Sequence, residues 1–433
     1  MSTAGVTVVV PTLGRPSLTA LLERVPAGPG LEVLVVDDRP NPAGPLPVPD
    51  GVRVVPGRAR GPAAARNTGW RSARHEWIAF LDDDVLPDPD WPQLLAADLA
   101  ESGDDVGGVQ GVLRVPLPPH RAPTDWERVT AGLAEGRWIT ADMAYRRAAL
   151  ARAGGFDERV PRAFREDAEL AFRVRRAGWS LRRGRRTTVH PVRAESPWVS
   201  VRSQRGNADD ALLRRLYGPR WRERLEIPPG RRRRHAAITA ALLTAAGLAV
   251  AAWSTAQPRA GSVAAPNPVG RRLGGGSVAR RSPAGGLLGC GFGVARSPAG
   301  CGSRNGYVIA AGVAAAVWAA GTAEFAANRI APGPRDPREV AVMLATSVAI
   351  PPVAIAHWLR GWWHWRGARP VAAESGPGRR PSGAPDAPAR EHGPASGRGP
   401  APERGPAEER SLAGTRGPAR EHKAVGQPAG APR

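Results

Sequence analysis

Four short apolar runs punctuate the first eighty residues: "GVTVVV" (5–10), "LEVLVV" (31–36), "VRVV" (52–55) and "WIAFL" (77–81). None keeps a strict apolar/polar alternation, and Gly, Pro or Asp bounds the runs. Such runs suit strands buried on both faces of a mostly parallel sheet. Between them lie helical signals. Ser17 stands where a cap would open a helix over "LTALLERV", and "PAAARNTGWRSA" reads as a crossover helix. The resulting β-α-β-α-β order marks an α/β domain.

After Arg231-Arg232-Arg233-Arg234 the pattern changes. Residues 236–253 carry no charge and approach the length needed to cross a bilayer. A second apolar stretch, 307–327, is interrupted only by Glu324. A third, 340–358, is broken by Pro351-Pro352 and runs into the Trp-rich "HWLRGWWHWR". Interfacial tryptophans and the arginine cluster both suit membrane boundaries. The expected organisation is an α/β domain at 1–230, with one half at about 1–100 and a second at 101–230. A membrane region at 231–366 would hold two or three transmembrane helices. A helical bundle buried within a soluble protein is the competing reading. The positive-inside rule puts the four arginines and the N-terminal domain in the cytoplasm, making this a multi-pass protein of the cell membrane.

The connection 254–306 carries arginines but no acidic residue, and it repeats "VARRSPAGG" imperfectly as "VARSPAGCG". It reads as a low-complexity insertion that leaves the topology beyond the first segment open. Residues 367–433 are Pro/Gly/Ala/Arg/Glu-rich with "PAREH" occurring twice. They lack the apolar surface to fold and are expected to be disordered. The opening "MSTAGVTVVVPT" has no basic stretch before its apolar run, so it reads as a first strand and not as a cleaved signal peptide.

Charge changes this picture little. The net charge is +22 and nearly all of it is arginine, Lys423 being the only lysine. Alanine, glycine, proline and arginine dominate together, a bias that a GC-rich genome produces by itself. No aromatic-interleaved basic motif appears, so nucleic acid is not expected as a partner. Cys290 and Cys301 lack metal-ligand spacing, which argues against structural zinc. They read as unreactive thiols, or as a disulfide if that loop lies outside the cytoplasm.

The candidate chemistry sits where the apolar runs stop. "FLDDDVLPDPDW" (80–91) sets Asp82, Asp83 and Asp84 directly after the fourth run, although uncompensated burial of adjacent charges is costly. "VVDDRP" sets Asp37 and Asp38 after the second run, and "VVPTLGRP" sets Pro11 and Thr12 at the end of the first. Open α/β sheets bind ligands at the carboxyl ends of their strands. Two acidic clusters there suit Mg²⁺ or Mn²⁺ shared with substrate phosphates.

Six landmarks then stand in order: "VVVPTLGRP", "EVLVVDD", "GPAAARNTG", "FLDDD", "ADMAYRRAALARAGGFDE" and "REDAELAFRVRRAGW". Over roughly residues 5 to 220 the chain resembles the inverting glycosyltransferases of family 2, which have the GT-A fold. The resemblance implies a GT-A type, Rossmann-like, mostly parallel sheet with flanking helices, followed here by transmembrane helices and the tail. It implies that Asp37 or Asp38 contacts the nucleotide base, and that Arg66 lies near the base and phosphates. It maps the Asp-x-Asp motif onto Asp82, nearer the ribose, and Asp84, on the metal, with Asp83 as the variable middle position. The base would be Asp167, with Glu166 in support and Glu169 one turn on. His190, 23 residues after Asp167, matches a metal-binding histidine of some members. Gly155, Phe156 and Asp157 resemble the wall of the acceptor site. Asp142 has no assigned role, and Arg202 and Arg205 read as solvated surface arginines.

The chemistry so implied is displacement at an anomeric carbon. A nucleotide-diphospho-sugar is the donor, a divalent metal stabilises the leaving diphosphate, and a carboxylate takes the acceptor's proton. The attached helices suit a lipid-linked or glycan acceptor, or a polyprenyl phosphate, in cell-envelope glycan synthesis. Two other readings compete. One is a catalytically inactive homologue serving as a membrane scaffold. The other is a sugar-nucleotide pyrophosphorylase, disfavoured because "PTLGRPS" lacks the glycine-dense loop of that class.

Overall fold

A computed structural model describes residues 5–256 and 300–371, the side chains of 300–303 excepted. The disulfide-or-thiol reading of Cys290 and Cys301, most of the 254–306 insertion and the tail from 372 lie outside the described residues or side chains. Eight strands make one sheet: β1 (Val6–Thr12), β2 (Leu31–Asp37), β3 (Arg53–Pro56), β4 (Trp77–Leu81), β5 (Leu86–Pro87), β6 (Val106–Arg114), β7 (Asp142–Arg146) and β8 (Ser180–Val189). Their order is β3-β2-β1-β4-β7-β6-β8-β5. β3, β2, β1 and β4 pair in parallel, and β7 inserts antiparallel between β4 and β6. Only β7 and β5 run against the other strands, so the sheet is mixed yet mostly parallel.

Two apolar layers explain why the early runs do not alternate. Val8, Val10, Val33 and Val35 face one core with α1 (Ser17–Arg24) and α3 (Trp91–Ala100). Val9, Leu34 and Val36 face the other with α2 (Pro62–Ser72), α5 (Arg147–Ala153) and α6 (Glu166–Arg176). Successive side chains point to opposite faces, so a strand sandwiched between helices needs apolar residues throughout. α2 lies close on β1 because Gly69 has no side chain; a Cβ there would stand 2.2 Å from Val9 Cγ1. Ser17 does not cap α1. It is the first helical residue, after Pro16, and no side chain caps that end.

Asp142 belongs to this core. It opens β7 wholly buried and accepts bonds from Trp91 Nε1 (2.7 Å), Arg186 Nε (2.7 Å) and Thr188 Oγ1 (2.6 Å). Arg186, equally buried, also reaches Asp98 at 3.3 Å and donates to the Val109 carbonyl at 2.7 Å. The network ties β6, β7 and β8 to α3, and each charge has partners, as burial demands.

Between α3 and the apolar C-terminal helices lie the short helices α4 (Asp125–Ala131), α7 (Val199–Arg202) and α9 (Trp221–Arg224) and the longer α8 (Asn207–Tyr217). Three long helices follow: α10 (Arg232–Ala256), α11 (Gly300–Ile330) and α12 (Pro337–His364). All three are long and apolar enough to cross a membrane. α12 is not broken at Pro351-Pro352 but continues through both. Two prolines remove two N–H donors, whereas Ile350, Pro351 and Ala354 around them are packed and buried.

Candidate active site

β1, β2 and β4 all stop at one edge of the sheet, bringing together Thr12, Asp37 and the triple aspartate. Asp83 turns inward. Its oxygens accept from Thr12 Oγ1 (2.7 Å) and Arg15 Nη1 (2.6 Å), tying the end of β4 to the end of β1. Thr12 and Asp83 are therefore buried against each other, and Asp83 has a structural partner of its own. Asp82 and Asp84 point elsewhere. Together with His190 they place one donor atom each within 4.8 Å of one another.

His190 follows the last residue of β8, and its N–H is held by the Arg114 carbonyl at 2.8 Å. Its Nδ1 lies 3.2 Å from the Pro191 carbonyl, which can only accept, so that nitrogen carries the hydrogen. Nε2 then presents its lone pair to Asp84 Oδ1, 3.9 Å away. A backbone carbonyl fixing the far nitrogen is the usual support of a metal-binding histidine. Burial and the charge of Asp82 push Asp84 above the ordinary carboxylate range, while Arg193, and His190 whenever it is protonated, oppose them. Two carboxylate oxygens and an imidazole nitrogen converge on one point. The donor set fits a divalent ion with oxygen and nitrogen ligands. Arg193 Nε reaches the other oxygen of Asp84 at 3.1 Å from the solvent side.

Arg66 connects this cluster to the carboxylates of α6. Its guanidinium is buried and donates to Asp82 Oδ1 and to Glu166 Oε1, both at 2.7 Å. The Phe156 ring lies 5.6 Å from its carbon. Glu166 also accepts the Phe164 N–H at 2.6 Å. Burial and the charge of Asp167 raise the Glu166 carboxyl to about 7, Arg66 pulling the other way. Asp167 is half-buried, and the hydrogen bond its carboxylate makes is to the Ala168 N–H at 2.7 Å. Burial raises it first, and Asp82 adds to the rise; Ala168, Arg66 and Arg165 oppose. A free, partly desolvated carboxylate feeling the field of Asp82 is chemically suited to take a proton. Arg165 brings α6 to this point from a left-handed conformation, φ 74°.

The remaining candidates also hold local structure. Asp38 accepts the N–H groups of Arg58 (3.0 Å) and Gly61 (2.9 Å) and so shapes the loop before α2. Asp37 is gripped by Arg39 through Nε (2.8 Å) and Nη2 (2.7 Å), which holds its carboxyl below the ordinary range. Phe156 and Asp157 are buried. Asn67 clamps the Phe156 backbone, accepting its N–H at 2.8 Å and donating to its carbonyl at 2.9 Å. Gly155 leaves room for that clamp, since a Cβ would stand 2.5 Å from Asn67 Oδ1. Asp157 pairs with Arg159 at 2.6 Å. Glu169 is buried against Arg173 and Tyr217, away from the cluster. Arg202 pairs with Glu195, and Arg205 is exposed. Sequence reasoning missed Arg15, Arg193, Asn67 and Arg165. Arg15, Asn67 and Arg165 stand inside the landmarks "VVVPTLGRP", "GPAAARNTG" and "REDAELAFRVRRAGW", which was their signal; Arg193 had none.

Strand-end acids thus collect at one edge of a mixed, mostly parallel α/β sheet. Residues 7–143 match the model of "Glycosyl transferase family 2". The pre-mycofactocin glycosyltransferase of Mycobacterium tuberculosis, from two strains, is 31% identical over 198 residues, 41% of this chain. The match spans 40% of that relative's length. Among solved structures, the mannosyltransferase PcManGT from Pyrobaculum calidifontis, in complex with GDP-Man and Mn²⁺, is 17% identical with a TM-score of 0.42, covering 84% of this chain and 88% of that one. S. aureus TarS 1-349 in complex with UDP-GlcNAc is 18% identical with a TM-score of 0.32, covering 51% of this chain and 70% of that one.

Proposed function

We propose that this protein is a metal-dependent inverting glycosyltransferase. It moves a sugar from a nucleotide-diphospho-sugar to a lipid-linked or glycan acceptor at the cytoplasmic face of the cell membrane, in cell-envelope glycan synthesis. The observation that carries this reading is the Asp82–Asp84–His190 cluster, bridged through Arg66 to the Glu166–Asp167 pair. Asp82, Asp84 and His190 would hold Mg²⁺ or Mn²⁺, which when bound supplies Lewis-acid stabilisation of the departing diphosphate. Asp167 accepts the hydroxyl proton as the acceptor oxygen attacks the anomeric carbon. Arg66 holds Glu166 and Asp82 at a fixed separation, so the base and the cation site are set against each other before substrate arrives. Asp38 and Asn67 shape the two loops that flank Arg66. The apolar helices α10 and α11 anchor the domain in the bilayer.

The test is release of nucleoside diphosphate by the full chain in micelles, over a panel of nucleotide sugars, with and without Mg²⁺ or Mn²⁺. Metal-dependent release that Asp84→Ala abolishes supports the reading. No release from any donor with either ion would leave the inactive-scaffold alternative. An acceptor phosphate, already ionised, would make turnover far less sensitive to Asp167→Asn than an acceptor hydroxyl.

A further inference from the structure

α10 and α11 form an antiparallel hairpin whose base is fastened to the rest of the protein. Arg234 meets Glu324 at 3.0 Å, the His235 and Phe325 rings are 5.2 Å apart, and Gly321 faces Ile238. At the base Arg232 lies over the Trp358 ring at 4.0 Å, and Arg329 is buried. Away from it Leu243, Val250, Ile309 and Val317 are exposed on uncharged stretches. Such a hairpin crosses a bilayer and returns to the side it left.

α12 is different although its composition is similar. Its inner face (Met343, Thr346, Ser347, Ile350, Ala354 and Gly361) is buried, at helical spacing. That face is fastened to the catalytic domain at both ends. Near the start, Glu339 accepts the Asp125 N–H at 3.1 Å. Arg329 then bonds Asp125 (2.8 Å), Thr346 (2.8 Å) and Ser347 (3.0 Å) together. Near the finish, a Cβ on Gly361 would stand 2.5 Å from the Ala208 carbonyl of α8, and Arg215 lies 3.4 Å over the Trp362 ring. Glu339 and Gly361 are about 33 Å apart along a helix rising 1.5 Å per residue. That is the full hydrocarbon thickness of about 30 Å. If α12 spanned, α4, α7 and α8 beside it would be drawn into lipid with Asp125, Asp209, Asp210 and Arg215.

The outer face tells what covers it. Ala341, Leu344, Ala345, Val348, Ala356, Leu359 and Trp363 are exposed along one side, and no Asp, Glu, Lys or Arg occurs between Glu339 and Arg360. The face ends in exposed Trp363, and Trp358, Trp362 and Trp365 cluster around the same end of the helix with Arg360 and Arg366. Tryptophan and arginine mark membrane interfaces.

We propose that α12 is not a third span but lies in the plane of the membrane, with its inner face carrying the catalytic domain and its outer face sunk in the lipid interface. The inference rests on the membrane attachment proposed above. It makes α10 and α11 the two spans and keeps the catalytic domain, α12 and residue 371 on one side. The far ends of the hairpin, Ala256 and Gly300, lie on the other.

Spin-label depth measurement tests this in the full chain, with Cys290→Ser and Cys301→Ser as background, in phosphatidylcholine/phosphatidylglycerol nanodiscs. Labels at Leu344→Cys, Val348→Cys and Leu359→Cys replace exposed side chains; Leu243→Cys and Val317→Cys report on the hairpin. An in-plane helix gives the three α12 labels one shared shallow depth, about 5–10 Å into the interface, with the hairpin labels deep. A spanning α12 separates Leu344→Cys from Leu359→Cys by about 22 Å in depth and overturns the proposal. Spin–spin broadening between copies, with α12 labels shielded from lipid, would identify a second chain as the occupant and overturn it too. Hairpin labels in water would remove the membrane reading itself.

Discussion

Replacing Arg66 by methionine removes the guanidinium that Asp82 and Glu166 share at 2.7 Å each. Arg66 and Glu166 side chains are 1% and 2% exposed, so the glutamate left behind has no access to water. Breaking one partner of such a buried pair costs about 3–5 kcal/mol. Asp82, at 26% exposure, rehydrates and adds little. In the double variant Arg66→Met/Glu166→Gln the stranded charge is gone, and the loss should fall to about 1–2 kcal/mol, a coupling of neighbouring residues that the double-mutant cycle reads directly. The loss also depends on pH. Burial and Asp167 raise the Glu166 carboxyl to about 7 in the folded chain. A carboxyl raised on folding binds its proton more tightly in the folded state, so stability falls as pH climbs from its unfolded value to its folded one. Without Arg66 that value climbs further, so the single variant suffers most at pH 8. By pH 5 Glu166 is protonated and needs no counter-charge, and the loss shrinks. The assay is urea unfolding of the full chain in micelles, followed by tryptophan fluorescence at pH 5 and pH 8. Additive single effects, or a loss that does not change with pH, would refute the buried Arg66–Glu166 pairing.

Three further outcomes follow from the same geometry. The acid limb of kcat/KM against pH should bend above the ordinary aspartate range, because burial and Asp82 raise the Asp167 carboxyl; Glu166→Gln, which removes a neighbouring carboxylate, should move the bend to lower pH, and a bend at the ordinary aspartate value would refute the assignment. Asp142→Ala strands buried Arg186 and should cost about 3–5 kcal/mol in unfolding experiments, while the Mn²⁺ affinity of the folded fraction stays unchanged. His190→Ala should weaken Mn²⁺ binding, read by titration calorimetry, by more than the roughly 10–100-fold typical of losing a supporting contact; unaltered affinity would remove His190 from the site.

What could be read from the sequence was local. Unalternating apolar runs marked β1, β2 and β4 to within a few residues because both faces of those strands are covered. The residue after each run marked the ligand edge. Pairings between distant segments left no trace: Asp142 meets Arg186 across 44 positions, and Arg66 meets Glu166 across 100. Nothing in "DDD" shows that Asp83 is spent on Thr12 and Arg15, or in "GGFDE" that Phe156 and Asp157 turn inward. At α12 composition reads the same for a span and for a helix lying along the membrane. Hydropathy counts apolar residues without asking whether they face protein or lipid, and small residues such as Ala354 and Gly361 serve close helix contact equally well in either setting.

The measurement closest to the central claim is Asp167→Asn in the full chain, followed as both donor binding and sugar transfer. Asparagine keeps the size of the side chain, so nucleotide-sugar binding with Mn²⁺ should match the unaltered protein. Transfer to a hydroxyl acceptor should fall by about 10²–10⁴-fold, the usual contribution of a positioned general base. Transfer at the full rate by the Asp167→Asn variant would contradict the assignment of the proton-accepting carboxylate opposite the Asp82–Asp84–His190 cluster.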